Sequence, residues 1–99
     1  MKLTLRVTEN DIRLGKQGDA NCCAIAGTVK RLVKPEFREE VSVSENIEVG
    51  LDLCAVKKGD ISKFITKFDD NKAGVRPTDF VVDMPLELID EKILTQVRF

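Results

Sequence analysis

The sequence predicts a small α+β domain: an antiparallel or mixed sheet, a central helix built from small residues, and a second, amphipathic helix packed on the sheet. Three observations carry that expectation. Apolar and polar residues alternate in several short runs, as half-buried strands do. The stretch GKQGDANCCAIAGTVKRLVK, residues 15–34, passes from a glycine-punctuated turn into a small-residue helix. Further on, Ile61, Phe64, Ile65 and Phe68 stand at i, i+3, i+4 and i+7. With 99 residues, 42% hydrophobic and 33% charged, the chain has material for one core, so residues 1–99 read as a single domain.

In the opening run KLTLRVT, Leu3, Leu5 and Val7 fall on one face and Lys2, Thr4 and Arg6 on the other, which predicts the first strand. Thr8 and Asp11 then cap a short helical turn through Ile12 and Leu14 that stops at Gly15. Gln17, Gly18 and Asp19 form the loop before the central helix, whose expected N-cap is Asp19 and whose expected start is about Ala20. Along that helix Cys22, Ile25, Ala26, Val29, Leu32 and Val33 share one face, Asn21, Thr28 and Arg31 lie opposite, and Pro35 ends the run. Ala20, Ala24, Ala26 and Gly27 leave little volume on the helix surface. A close backbone approach there would offset the propensity cost of Gly27, about 1 kcal/mol.

After the charged connection of residues 36–40, VSVSENIEVGLDLC alternates again. Val41 and Val43, then Ile47, Val49, Leu51 and Leu53, read as one or two strands, with Ser44, Glu45 and Asn46 as a hairpin turn and Gly50 as a bulge or close approach. Asp60 is the expected N-cap of the second helix, and Asp69, Asp70, Asn71, Lys72, Ala73 and Gly74 form a turn. A strand, TDFVVDM, follows Pro77 and is closed by Pro85. The tail, residues 86–99, fits two patterns: a helix lined by Leu86, Ile89, Ile93 and Val97, or a strand over ILTQVRF.

Composition excludes several function classes. A net charge of -1, from 16 Lys plus Arg against 17 Asp plus Glu, gives no global field to gather nucleic acid. The local candidate is the basic group Lys30, Arg31 and Lys34, joined by Lys57 and Lys58, although basic residues favour helix C-termini in any case. No apolar run approaches the ~20 residues of a membrane span, and a strand pattern begins at once, so the expectation is a cytoplasmic chain without signal peptide or membrane partner. Without His there is no imidazole base, no Ser-His-Asp or Cys-His arrangement and no mixed zinc site.

The remaining chemistry lies in thiols and turns. Three cysteines make no disulfide framework, and three thiols without a fourth ligand make no zinc site, so neither metal nor cofactor is expected. Cys22 and Cys23 open the central helix, whose N-terminal partial charge lowers a thiol pKa; Cys23 is the candidate reactive thiol, while Cys22 on the apolar stripe and Cys54 in a strand read as packing. Lys16, Gln17, Gly18 and Asp19 offer amides and a cation for a small anion or nucleotide. Asp19 competes for the same amides and repels phosphate, and neither glycine-rich phosphate motif is matched. Asp69, Asp70, Asn71 and Gly74 open like a calcium loop, but the twelfth position, which needs Glu, falls on Phe80. The spacing of Asp83 and Glu87 sets no acid/base separation.

Two stretches, VTENDIRLGKQGDANCCAIAGTVKR and ISKFITKFDDNKAGVRPTDFVVDMP, together resemble a pattern of small phage and prophage proteins that have no assigned activity. That pattern has a single Cys-Pro where this chain has adjacent cysteines. The resemblance implies phage origin and, since such proteins often block another factor, a binding role such as inhibition of a host defence. The expected function is a non-enzymatic cytoplasmic binding protein with a protein partner. The alternatives are a small-ligand binder, of an anion or nucleotide, using the turn of Gly15 to Asp19 at the helix N-terminus, and thiol chemistry at Cys22 and Cys23. A homodimer through an edge strand or the small-residue helix face stays open at this level.

Overall fold

In the computed structural model, which describes residues 1–57 and 59–96, the chain forms one antiparallel five-stranded sheet in the order β1-β5-β4-β3-β2, curled around a helix. The strands are β1 (Lys2–Val7), β2 (Val41–Val43), β3 (Ile47–Val49), β4 (Asp52–Val56) and β5 (Thr78–Asp83). The helices are α1 (Glu9–Leu14), α2 (Ala24–Leu32), α3 (Asp60–Asp70) and α4 (Glu91–Gln96). The small α+β fold with a central helix is thus the one the sequence predicts, and every strand pairing is antiparallel.

α2 is central because it touches both β1 and β2, the two edges of the sheet. Ala24, Ile25, Ala26, Val29 and the following Val33 are fully buried, and the Thr28 hydroxyl donates to the Ala24 carbonyl at 3.0 Å. The helix starts later than expected. Asp19 caps a preceding turn instead, accepting from the amides of Asn21 at 2.9 Å and Cys22 at 3.2 Å. The Ala20 carbonyl, which helical continuation would need, accepts from the Val43 amide at 2.8 Å, and Asn21 Nδ2 donates to the Val41 carbonyl at 2.9 Å. These contacts cover the free edge of β2. The N-cap of α2 is Cys23, whose Sγ accepts from the Ala26 amide at 3.4 Å.

The close approach expected along the helix surface occurs at Ala24. A Cβ added to Gly15 would lie 2.6 Å from the Ala24 nitrogen, so the end of α1 abuts the start of α2 backbone to backbone. Gly27 faces open space, and Ala20 is exposed.

Three strands, not one or two, occupy residues 41–56. Ser44, Glu45 and Asn46 turn β2 into β3 as expected, but Gly50, with φ +61°, starts a second tight turn rather than a bulge. Pairing of Val49 with Asp52 and of Ile47 with Cys54 puts Cys54 inside and Leu53 outside, so the apolar alternation read through Leu51 and Leu53 does not continue across the turn. The strand expected after Pro77 is β5, which lies between β1 and β4 in the sheet, a position the sequence does not predict, with Leu3, Leu5, Phe80 and Val82 buried on the inner face.

α3 buries Ile61, Phe64 and Phe68. Its N-cap is Gly59, at φ +89°, with Asp60 as the first helical residue, one position earlier than expected. It extends through Asp69 and Asp70, which the sequence places in the following turn. The tail is mixed: a 3-10 turn at Leu86–Leu88, a bridge between Val33 and Ile89, then α4. Val97 and the end of ILTQVRF lie outside the described residues. No helix among the described residues is long and apolar enough to cross a membrane.

Candidate functional site

In the turn that the sequence offers for an anion, Gln17 and the Gly18 amide are already engaged by the chain itself. Gln17 Nε2 donates to the carbonyls of Phe68 at 2.7 Å and Asp69 at 3.1 Å, closing the C-terminal end of α3. The Gly18 amide donates to Asp69 Oδ1 at 2.9 Å, so the anion held by this turn is a carboxylate of the chain itself. Lys72 Nζ donates to the carbonyls of Arg13 at 2.6 Å and Gly15 at 2.8 Å, capping α1 with a cation, and sits 5.9 Å from the Phe68 ring centre. The backbone amide of Lys16 donates to the Cys22 carbonyl at 2.8 Å. Asp19 and Asp69 line the shallow depression beside the turn, about 220 Å³, and give it the wrong sign for phosphate. Residues 15–19 are a clasp joining α1, α2 and α3.

The thiols sit differently from expectation. Cys22 is half-buried while Cys23, the candidate nucleophile, is only 4% exposed. Burial pushes the Cys23 thiol above its ordinary pKa, against weaker help from the α2 amides. The same effect, reinforced by Asp52 and Asp83, pushes Cys54 up to about 11. Both remain thiols at neutral pH, which is the reverse of activation.

The basic group also divides. Arg31 reaches across to Asp11 of α1 in a bidentate pair whose longer contact, Nη2 to Oδ2, is 2.9 Å. Thr8 completes the local network, its amide donating to Asp11 Oδ2 at 2.8 Å while its hydroxyl caps the Asp11 amide. Among the described residues the side chains of Lys30 and Lys34 make no ion pair, and Lys58 lies outside those residues. Burial raises the pKa of Asp11, but donors from Arg31 and Thr8 outweigh it and hold the carboxyl below its ordinary value.

A folded-state pKa below the unfolded one means that this stabilisation is present above the ordinary carboxylate range and lost as pH falls through the folded value. Between about pH 6 and about pH 2 the urea midpoint of the native chain should therefore drop more steeply than that of Asp11→Asn. Equal slopes would show that Asp11 contributes nothing to acid unfolding.

The concave feature with free charge lies elsewhere, between α3 and the start of β5. It is a groove of about 520 Å³, open to solvent, with the rings of Phe64 and Phe80 at its base. These rings meet edge to face at 5.7 Å, and Phe64 stacks on Phe68 at 6.2 Å, so the base is continuous with the core. Lys63 and Lys67, one turn apart on α3, form one wall. Gly74, Val75 and Arg76, leaving the 3-10 turn Lys72–Gly74, form the other. Among the described residues the side chains of Lys63, Lys67 and Arg76 make no ion pair or hydrogen bond. Two carboxylates also line the groove, and one of them, Asp79, lies 4.0 Å from Arg6 on the neighbouring strand.

Sequence reasoning missed this site. Lys63 and Lys67 flank Phe64 at a spacing that places them on one side of a helix, which is a legible signal. That Arg76 joins them is a consequence of the fold-back after α3. No group of three or more potential metal ligands is present among the described residues. Compared with protein-family models, curated proteins and solved structures, the chain matches none of them.

Proposed function

We propose that the chain is a non-enzymatic binding protein that holds an acidic, partly apolar segment of a partner protein in the groove between α3 and β5. The observation that carries this reading is the set of unpaired cations, Lys63, Lys67 and Arg76, on opposite walls of a groove with an aromatic base. Cations left free on the walls above an aromatic base complement carboxylates interspersed with apolar side chains. The groove is open to solvent, which suits a chain segment better than a small molecule needing enclosure on most sides. The non-catalytic part of the reading is supported by the protonated, buried thiols and by a chain that has no His.

The resemblance to small phage proteins supports a phage-encoded protein that acts in the host cytoplasm by occupying a segment of a host or phage protein. Inhibition of a host defence factor is the form of that action we favour.

An eight-residue peptide of alternating Glu and Leu, followed by fluorescence anisotropy, is the probe. It should bind the native chain, bind less tightly as salt rises, and lose at least about tenfold in affinity on Lys63→Glu with Lys67→Glu. A peptide with Lys in place of Glu should bind the native chain more weakly than the acidic one. Equal affinity of the native and reversed chains for the acidic peptide would overturn the reading. Both substituted positions are exposed, so folding should be retained.

A further inference from the structure

We infer that the segment enters the groove as an added β-strand paired to the free part of β5, a reading that rests on the groove assignment above. β1 runs beside the whole of β5, whereas β4 pairs with it only through Ala55 with Asp83 and Val56 with Val82. β5 therefore outruns β4, and among the described residues no strand flanks the Thr78 end of β5 on the side away from β1. The direction of its backbone groups follows from the end of the ladder. The Met84 amide donates to the Met1 carbonyl at 2.9 Å, and the Met1 amino group donates to the Met84 carbonyl at 3.0 Å.

In an antiparallel ladder such exchanged pairs recur at every second residue. Val82, Phe80 and Thr78 therefore turn their backbone groups toward β1, and Asp79 turns its N–H and C=O the other way, into the space that it helps to line. An extended segment lying between Asp79 and α3 gains main-chain hydrogen bonds from this edge. Its side chains alternate, so every second one is directed at α3, where Phe64 stands between Lys63 and Lys67.

A second copy of this chain is the poorer occupant. The free edge it would offer is β1, whose outward side chains are Lys2, Thr4 and Arg6, and these would bring cations to a cationic groove.

The test uses the full chain and the same alternating Glu and Leu peptide with N-methyl groups placed either on every Leu amide or on every Glu amide. In a strand, amides alternate sides in step with side chains, so only one of the two sets faces β5. One methylated peptide should lose at least about tenfold in affinity while the other stays within about twofold of the parent. If both bind like the parent, or both lose binding equally, strand addition is overturned while the groove assignment stands. If the unmethylated peptide does not bind, the groove assignment itself fails.

Discussion

Replacing Phe68 by Ala should lower the unfolding free energy by about 3–5 kcal/mol, a large share of the ~5–15 kcal/mol available to a domain of this kind. Phe68 is fully buried, stacks on Phe64 and lies under the Lys72 ammonium, and its carbonyl receives Gln17. Its removal opens a cavity where α3, the clasp and the base of the groove meet, and the surrounding backbone is tied by hydrogen bonds that resist collapse into it. Urea unfolding followed by circular dichroism gives the measurement. A loss below about 1 kcal/mol would mean that α3 is not anchored through this ring. Phe68→Leu, which keeps most of the volume, should cost markedly less.

Gly15→Ala should be nearly as damaging, about 3 kcal/mol, at the upper end of what overpacking costs. Gly15 has φ -69° and ψ 147°, which alanine adopts freely, so backbone conformation is not the reason. The reason is steric: the new Cβ would stand 2.6 Å from the Ala24 nitrogen and 2.9 Å from its Cα. Both are backbone atoms of α2 and cannot rotate away. Gly27→Ala supplies the opposite sign in the same helix. Nothing lies within 4 Å of the place its methyl group would take, so it should stabilise by about 0.5–1 kcal/mol through helix propensity. Thermal melts of the two variants should move in opposite directions, and a stable Gly15→Ala would contradict the packing of α1 on α2.

The elements that were legible in the sequence are those governed by local chemistry. The alternation of Leu3, Leu5 and Val7, the Thr8 and Asp11 capping box, and the apolar stripe of α3 each depend on neighbours within a few residues. The start of α2 was not legible, because Asp19 caps a turn as readily as a helix and the decision is made by β2, which takes the Ala20 carbonyl. The turn at Gly50 moved Leu53 to the outer face for a similar reason, the register being set between strands.

The same distinction separates the two candidate sites. The turn of Lys16 to Asp19 carries the local vocabulary of an anion site, yet its donors meet Phe68 and Asp69, about fifty residues further along, and it becomes a joint. Lys63, Lys67 and Arg76 carry no motif, and they share a groove only because the chain folds back after α3. The i, i+4 spacing of Lys63 and Lys67 is legible in the sequence, but that they stay unpaired and are joined by Arg76 is decided by tertiary structure.

The most direct measurement is a titration of the 15N-labelled chain with the alternating Glu and Leu peptide, followed through backbone amide shifts. The expected result is a saturable set of changes at residues 63–67 and 75–80, with the clasp of residues 15–19 and the outer positions Thr4 and Leu53 undisturbed. Changes centred on residues 15–23, or spread over the outer face of the sheet with the groove silent, would contradict the assignment of the groove as the binding surface.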